Sequence, residues 1–461
     1  MNFEKLFKLK QNNTTVRTEV MAGITIFFAS VFAILTIPNL IGQGDVTLMN
    51  GVFVAGVLSA AAGSLLKAFA ANLPFVQVPG MGLGSFFAFT AMPAVAVMTG
   101  IIDMPAVRQY QMALALVFIS GIAFVATSIG GIRQFIIDGV PQNIKLALGA
   151  GIGLFIAALG LRQSGLIVAN PGTLVALVDF SSFSENPTPV LGALLSLAGL
   201  AIMVVLFAKK VKGGILIGII VTTILAYLTG HTPWPETFSF SLAGVGRDFL
   251  DVSFLRLDFS LFTSVSGAAW GSLFALGFTF FLINLLDALG TIYGIASANG
   301  MVDEKGEVTG LQRGMTVDAL GTVIGSLFGS SSTATTVSSA AGIAEGGRTG
   351  LTSLVTGVLF LSIIFLAPLV NLIPLVATAP ALIFVGCLMM THIKEVDFSD
   401  VTETVPAFLT IVIMPMTSSI GNGTSIGLIS YVVIKLLTGR FKEIKLSSVV
   451  IAAFLLLQFI L

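Results

Sequence analysis

Charge is scarce in this chain. Lysine, arginine, aspartate and glutamate make up 10% of its 461 residues, against roughly 25% in an average soluble domain. So little charge excludes a globular protein solvated on all sides. The 22 basic and 22 acidic residues cancel and form no basic face, which argues against a nucleic-acid partner. The single cysteine, Cys387, lies in the apolar run ALIFVGCLMM. No intramolecular disulfide can form, and the thiol is expected to face lipid or core. The two histidines, His231 and His392, stand alone in polar connections and read as solvated loop residues. With no Cys/His cluster, no glycine-rich phosphate loop and no nucleophile elbow, the sequence offers neither a metal site, a cofactor site nor an enzymatic reading. The first residues carry Lys5, Lys8, Lys10 and Arg17 without an apolar core ending in a small-residue cleavage site, so no signal peptide is expected.

Apolar residues are what the chain has in abundance: 56% are hydrophobic and the mean hydropathy is +1.02. The predicted class is an all-α polytopic membrane protein. Runs near the roughly 20 residues that cross a bilayer cover 20–38, 48–70, 75–97, 111–130, 142–160, 187–208 and 213–230, then 264–297, 314–328, 331–345, 350–372, 374–392, 404–420 and 423–437, fourteen in all. Residues 446–461 form one more apolar stretch, read as interfacial or re-entrant. Lys and Arg gather on one side of membranes, the cytoplasmic one. Arg133, Lys209, Lys210, Lys212, Lys305, Arg313, Arg348, Lys394, Lys435, Arg440, Lys442 and Lys445 all follow even-numbered runs, which places the N-terminus in the cytoplasm. The opposite connections are mixed or acidic, with Asp45, Asp103, Asp179, Glu185, Asp248, Asp251 and Asp258 against Arg108, Arg162, Arg247 and Arg256.

The longest polar connection, 231–263, divides the chain into two sets of seven runs, 1–230 and 264–461. An odd number per half turns the second half over, the arrangement of inverted repeats. The third run of each half is interrupted. In the first half it reads PFVQVPGMGLGSFFAF, with Pro74, Pro79, Gly80, Gly82 and Gly84; in the second it is GSSSTATTVSSAAGIAEGGR, residues 329–348. Polar, irregular backbone survives in a membrane only where protein or a water-filled cavity surrounds it. Small residues also let helices pack closely, but interrupted segments at matching positions point to a transporter's binding site.

Asp287, in GFTFFLINLLDALGTIYGIA, has no cation near it in sequence and sits deep in an apolar run. Carboxylates there are costly and mark function by default; burial also favours the protonated form, which suits Asp287 to substrate binding and proton coupling. Asn284 lies almost one helical turn earlier and Thr291 one turn later, on the same face. A second carboxylate, Asp318, lies in the similar DALGTVIG close to a cytoplasmic connection, where capping a helix N-terminus is the expected role. Glu345 and Arg348 could pair across the EGGR turn at the cytoplasmic mouth. If the interrupted segments end as half-helices, their free N–H groups bind carbonyl oxygens or ring nitrogens. Opposite a carboxylate, they suit a neutral planar heterocycle.

These motifs carry a resemblance. TTVRTEVMAGIT, ANLPFVQVPGMGLGSFFAF, DALGTIYGIA, SSAAGIAEGGRTGLTSLVTG and PAFLTIVIMPMTSSIGNGTSIGLISYVVIKLLTGR resemble the AzgA-like purine permeases of the nucleobase-cation symporter family, which includes xanthine and uracil permeases. The resemblance implies fourteen spans in a 7+7 inverted repeat, with short extended strands in spans 3 and 10. It implies a core domain of spans 1–4 and 8–11 moving against a gate domain of spans 5–7 and 12–14, proton-coupled uptake of a nucleobase, an inner or plasma membrane location and, by analogy, a homodimer. The family's acidic site position falls on Asp287. Gly84 stands where the family has Asn in GMGLN, and Ser338 where it has Glu in ESAAG. Losing a charged partner costs about 1.5–3 kcal/mol, so a purine is held weakly or by other contacts, here Gly84, Ser85, Ser338 and Ser339 with the backbone around them. Transport of another small polar compound and a passive channel are the rival readings.

Overall fold

The computed structural model describes residues 3–101, 103–127, 132–184, 187–234, 242–265, 267–298 and 310–460. Lys305 and Glu185, used above for charge asymmetry, and the His392 side chain lie outside the described residues. The chain is mostly helical. Among the described residues, nine helices are long and apolar enough to cross a membrane, and Gly214–Leu228, Gly350–Leu366, Val401–Thr417 and Leu446–Leu456 are shorter apolar ones. The last of these belongs to the tail helix Leu446–Ile460.

Local chemistry sets the helix boundaries. Thr15 accepts from the Thr18 amide to start Val16–Gly42, and Asp45 accepts from Leu48 to start Val46–Leu66; side-chain oxygens at this position satisfy donors that have no partner within the helix. The turn between these two helices is made by Gln43 and Gly44, both at positive φ.

Two short strands lie inside the helical packing. Gln77–Pro79 pairs antiparallel with Thr333–Thr335, with Gln77 opposite Thr335 and Val78 opposite Ala334. The Gly80 amide donates to the Ser332 carbonyl and the Thr336 amide to the Val76 carbonyl, extending the ladder at both ends. Each strand leads into a six-residue helix, Met81–Phe86 or Ser339–Ala344. Pro79 has no N–H to donate, and the Ser/Thr run 330–336 competes for backbone partners and weakens helix. Extended backbone follows in both segments. The strands are buried against Val46–Leu66 and Leu311–Phe328, and the fit depends on two glycines. A Cβ on either Gly63 or Gly321 would stand 2.1 Å from Gln77 Oε1.

A second close approach joins Gln142–Gln163 to Leu375–Met389. A Cβ on Gly153 would lie 2.7 Å from the Gly386 carbonyl oxygen, and one on Gly386 would lie 2.4 Å from that of Gly153. Neither backbone can rotate away. Gly386→Val is therefore expected to push the helices apart and lower stability by about 1–3 kcal/mol, read as a fall in the unfolding midpoint in detergent; an unchanged midpoint would refute the tight crossing.

On the face bearing the tail turn, Lys435, 1% exposed, is held by Glu403 at 2.9 Å and Glu443 at 2.5 Å, while Arg440 pairs with Asp400. Asp400 also caps Val401–Thr417, and the Thr402 amide and hydroxyl with Arg440 hold its carboxyl down at about 2. The tail helix packs on Ile420–Leu437 and Trp270–Ala298, with the Phe454 ring 5.7 Å from Phe274. His231 is not the solvated residue expected from sequence: it is half-buried against Gly192, because the chain after Gly214–Leu228 folds back onto the neighbouring helix Pro187–Ala208. Cys387 is exposed on an apolar helix, consistent with a lipid-facing thiol.

Candidate functional site

The two strands, the short helices after them and the helix Trp270–Ala298, which packs on Thr333–Thr335 and on Met81–Phe86, bring most of the predicted residues into one region. Asp287 is half-buried on Trp270–Ala298, and among the described residues no side chain hydrogen-bonds or ion-pairs with it. Asn284 Nδ2 donates to Thr322 Oγ1 at 2.7 Å, leaving Asn284 Oδ1 buried without a donor. Thr291 is half-buried further along the same helix.

Buried hydroxyls without partners concentrate here. Ser85, Thr279, Ser330, Ser331, Ser332 and Thr333 each bury a side-chain oxygen that has no hydrogen bond among the described residues. Such atoms are uncommon in folded proteins and mark either bound water or a ligand position. They lie on Met81–Phe86, on Trp270–Ala298, which also carries Asp287, and along residues 330–333, so this region offers a small polar molecule many neutral donors and acceptors.

Other predicted residues are already engaged. The Ser339 hydroxyl accepts from the Val76 amide at 3.0 Å, fastening the second short helix to the first strand. The Ser338 hydroxyl donates to the Ala29 carbonyl at 3.1 Å. Gly84 faces packing rather than open space: a Cβ there would meet Ile37 Cδ1 at 2.6 Å and Ser331 Oγ at 3.5 Å. The space beside the glycine is thus filled by Ile37.

Two sequence expectations are corrected. Asp318 does not cap a helix. Leu311–Phe328 begins seven residues before it, and its fully buried carboxylate lies 3.2 Å from the buried Lys67 ammonium. It accepts from Gln77 Nε2 at 2.6 Å and from Thr335 Oγ1 at 2.8 Å. Glu345 and Arg348 do not pair with each other. Glu345 is held by Lys212 at 2.5 Å and by the Thr25 hydroxyl at 2.6 Å. Arg348 turns inward and donates to the Ile343 and Gly347 carbonyls, because the chain reverses at Gly346, whose φ is +102°.

Three residues that sequence reading passed over carry much of this arrangement: Lys67, Gln77 and Glu19. Lys67 and Glu19 are charged residues buried to 0% exposure, and a lysine inside an apolar run was a signal available from sequence.

Residues 17–426 match the xanthine/uracil-type permease model, described as a permease family. The chain belongs to this permease family. It is 36% identical over 459 residues to the adenine permease AdeQ of Escherichia coli, covering 99% of this chain and 96% of that one. It is 34% identical over 455 residues to the guanine/hypoxanthine permease PbuO of Bacillus subtilis, covering 98% and 99%. The transmembrane domain of the cyanobacterial bicarbonate transporter BicA shares the fold, with a TM-score of 0.56 at 16% identity over 87% of this chain and 96% of that domain. This permease is accordingly a multi-pass integral membrane protein and not an enzyme.

Proposed function

We propose that this permease is a secondary active transporter that takes up a purine base together with a proton by alternating access. The observation that carries the reading is the single carboxylate, Asp287, without a partner among the described residues, on the helix that packs against both strand-bearing segments, amid buried hydroxyls that lack partners. A purine edge has ring nitrogens and N–H groups that match such a mixture, and the adenine and guanine/hypoxanthine permeases among the relatives support that substrate class. Asp287 would accept from a base N–H and carry the proton; Ser85 and Ser331 supply neutral contacts. Ser338 and Gly84, committed to Ala29 and Ile37, supply none that is charged.

In this reading the chain forms two inverted halves of seven spans, 1–230 and 264–461. The strand pair belongs to the core domain, and the Gly153/Gly386 crossing belongs to the gate. The N-terminus is cytoplasmic and the protein sits in the inner or plasma membrane. Uptake of labelled adenine, guanine, hypoxanthine and uracil into proteoliposomes, with and without an imposed pH gradient, tests the reading. Accumulation of a purine above its equilibrium level, dependent on the gradient, is expected. Equilibration alone would make the protein a facilitator, and no purine uptake would reassign the cargo to another polar solute.

A further inference from the structure

Lys67 ends the Val46–Leu66 helix in a π-turn closed by Asn72 at positive φ, and its side chain is wholly buried. Its ammonium donates to the Gly314 carbonyl at 2.7 Å and lies 3.2 Å from Asp318 Oδ1. Asp318 in turn accepts from Gln77 and from Thr335. Those two residues face each other in the strand register, so one carboxylate grips both strands at one rung.

A carboxylate this deep stays charged only if a cation compensates it. Arg133, 4% exposed, and Asp287 are also within electrostatic reach; the Lys67 ammonium, at 3.2 Å, is the cation held against the carboxylate. Without Lys67 the carboxyl would take up a proton. A neutral carboxyl accepts more weakly than a carboxylate, so the bonds from Gln77 Nε2 and Thr335 Oγ1 would weaken. The grip on both strands would loosen.

We propose that Lys67 is a positioning residue of the substrate site, a built-in cation that keeps Asp318 ionised and through it locks the two interrupted segments together. Its effect on transport rests on the functional reading above; its effect on the strands does not.

Hydrogen exchange on the full-length protein in nanodiscs tests the lock directly. In Lys67→Met and in Asp318→Asn, amides of segments 74–80 and 331–337 are expected to exchange about tenfold faster or more, since removing one partner of a buried pair is far costlier than removing both. Amides of Ile420–Leu437 should not change. In the double variant Lys67→Met/Asp318→Asn, exchange in both segments should return most of the way to the parent rate, a rescue that lost packing alone would not give. Unchanged exchange in Lys67→Met, or a double variant worse than either single one, would overturn the proposal. If Lys67→Met fails to accumulate while the double variant does, the charge pairing is upheld. If both fail, Thr335→Val, which removes one contact and no charge, must speed exchange in the same two segments or the lock is refuted. Hypoxanthine binding should weaken in step with exchange. A parent protein that binds no purine yet shows this exchange pattern would remove the substrate reading and leave the lock standing.

Discussion

Asp287→Asn is expected to abolish gradient-driven accumulation of purine while leaving exchange of labelled for unlabelled base across the membrane partly intact. Asparagine has the shape of aspartate and can still accept one hydrogen bond, but it cannot carry a proton. Among the described residues nothing else bonds to Asp287, so the substitution disturbs no internal contact and the protein should reach the membrane in normal amount. Weaker binding follows from replacing a charged acceptor by a neutral one, about 1.5–3 kcal/mol, or roughly tenfold to a hundredfold in affinity. Uptake and exchange measured on the same proteoliposomes separate the two effects. Gradient-driven accumulation at the parent rate would sink the coupling role.

Loss of Glu19 should have the largest effect on stability. This fully buried carboxylate accepts from the Arg348 amide at 2.8 Å, the Thr349 amide at 3.3 Å, the Thr352 amide at 3.2 Å and the Thr352 hydroxyl at 2.6 Å. It therefore caps Gly350–Ser362 from a different helix, taking the two amides that lead into its N-terminus and sharing the Thr352 amide with the Thr349 carbonyl, and it places a negative charge at the positive end of the helix dipole. Glu19→Ala strands those donors in the protein interior. The expected cost is about 3–5 kcal/mol, a large share of the roughly 5–15 kcal/mol by which a folded domain is stable. Glu19→Gln keeps one acceptor oxygen and should cost less. Thermal unfolding in detergent and the amount of protein in the membrane report both; a Glu19→Ala protein with the parent's midpoint would disprove the capping role.

Composition and hydropathy were enough to read a helical, multi-pass membrane protein, and the motifs were enough to name the family, because both are local properties of the chain. The importance of Asp287 was legible for the same reason: a carboxylate amid apolar neighbours is conspicuous in any window. Asp318 was misread by that same locality. Its nearness to a polar connection suggested a cap, whereas its partner Gln77 is 241 residues away. Glu19 was invisible as a cap because the amide it serves lies 329 residues on. Ser338 and Gly84 could be placed by motif, but their commitment to Ala29 and Ile37 depends on how Val16–Gly42 packs, which no spacing encodes.

The strand pair also has a consequence for biosynthesis. The first strand is made long before Asp318 and the second strand exist. With chain growth at about 5–20 residues per second, the 241 residues between Gln77 and Asp318 take roughly 12–48 s to synthesise. Throughout that interval the first strand has backbone donors and acceptors with no ladder partner, and Lys67 has no counter-charge, in a setting where unsatisfied groups cost several kcal/mol each. The newly made first half must therefore wait in a hydrated place or against a temporary companion. Its commitment to the lipid is completed only when the second half arrives.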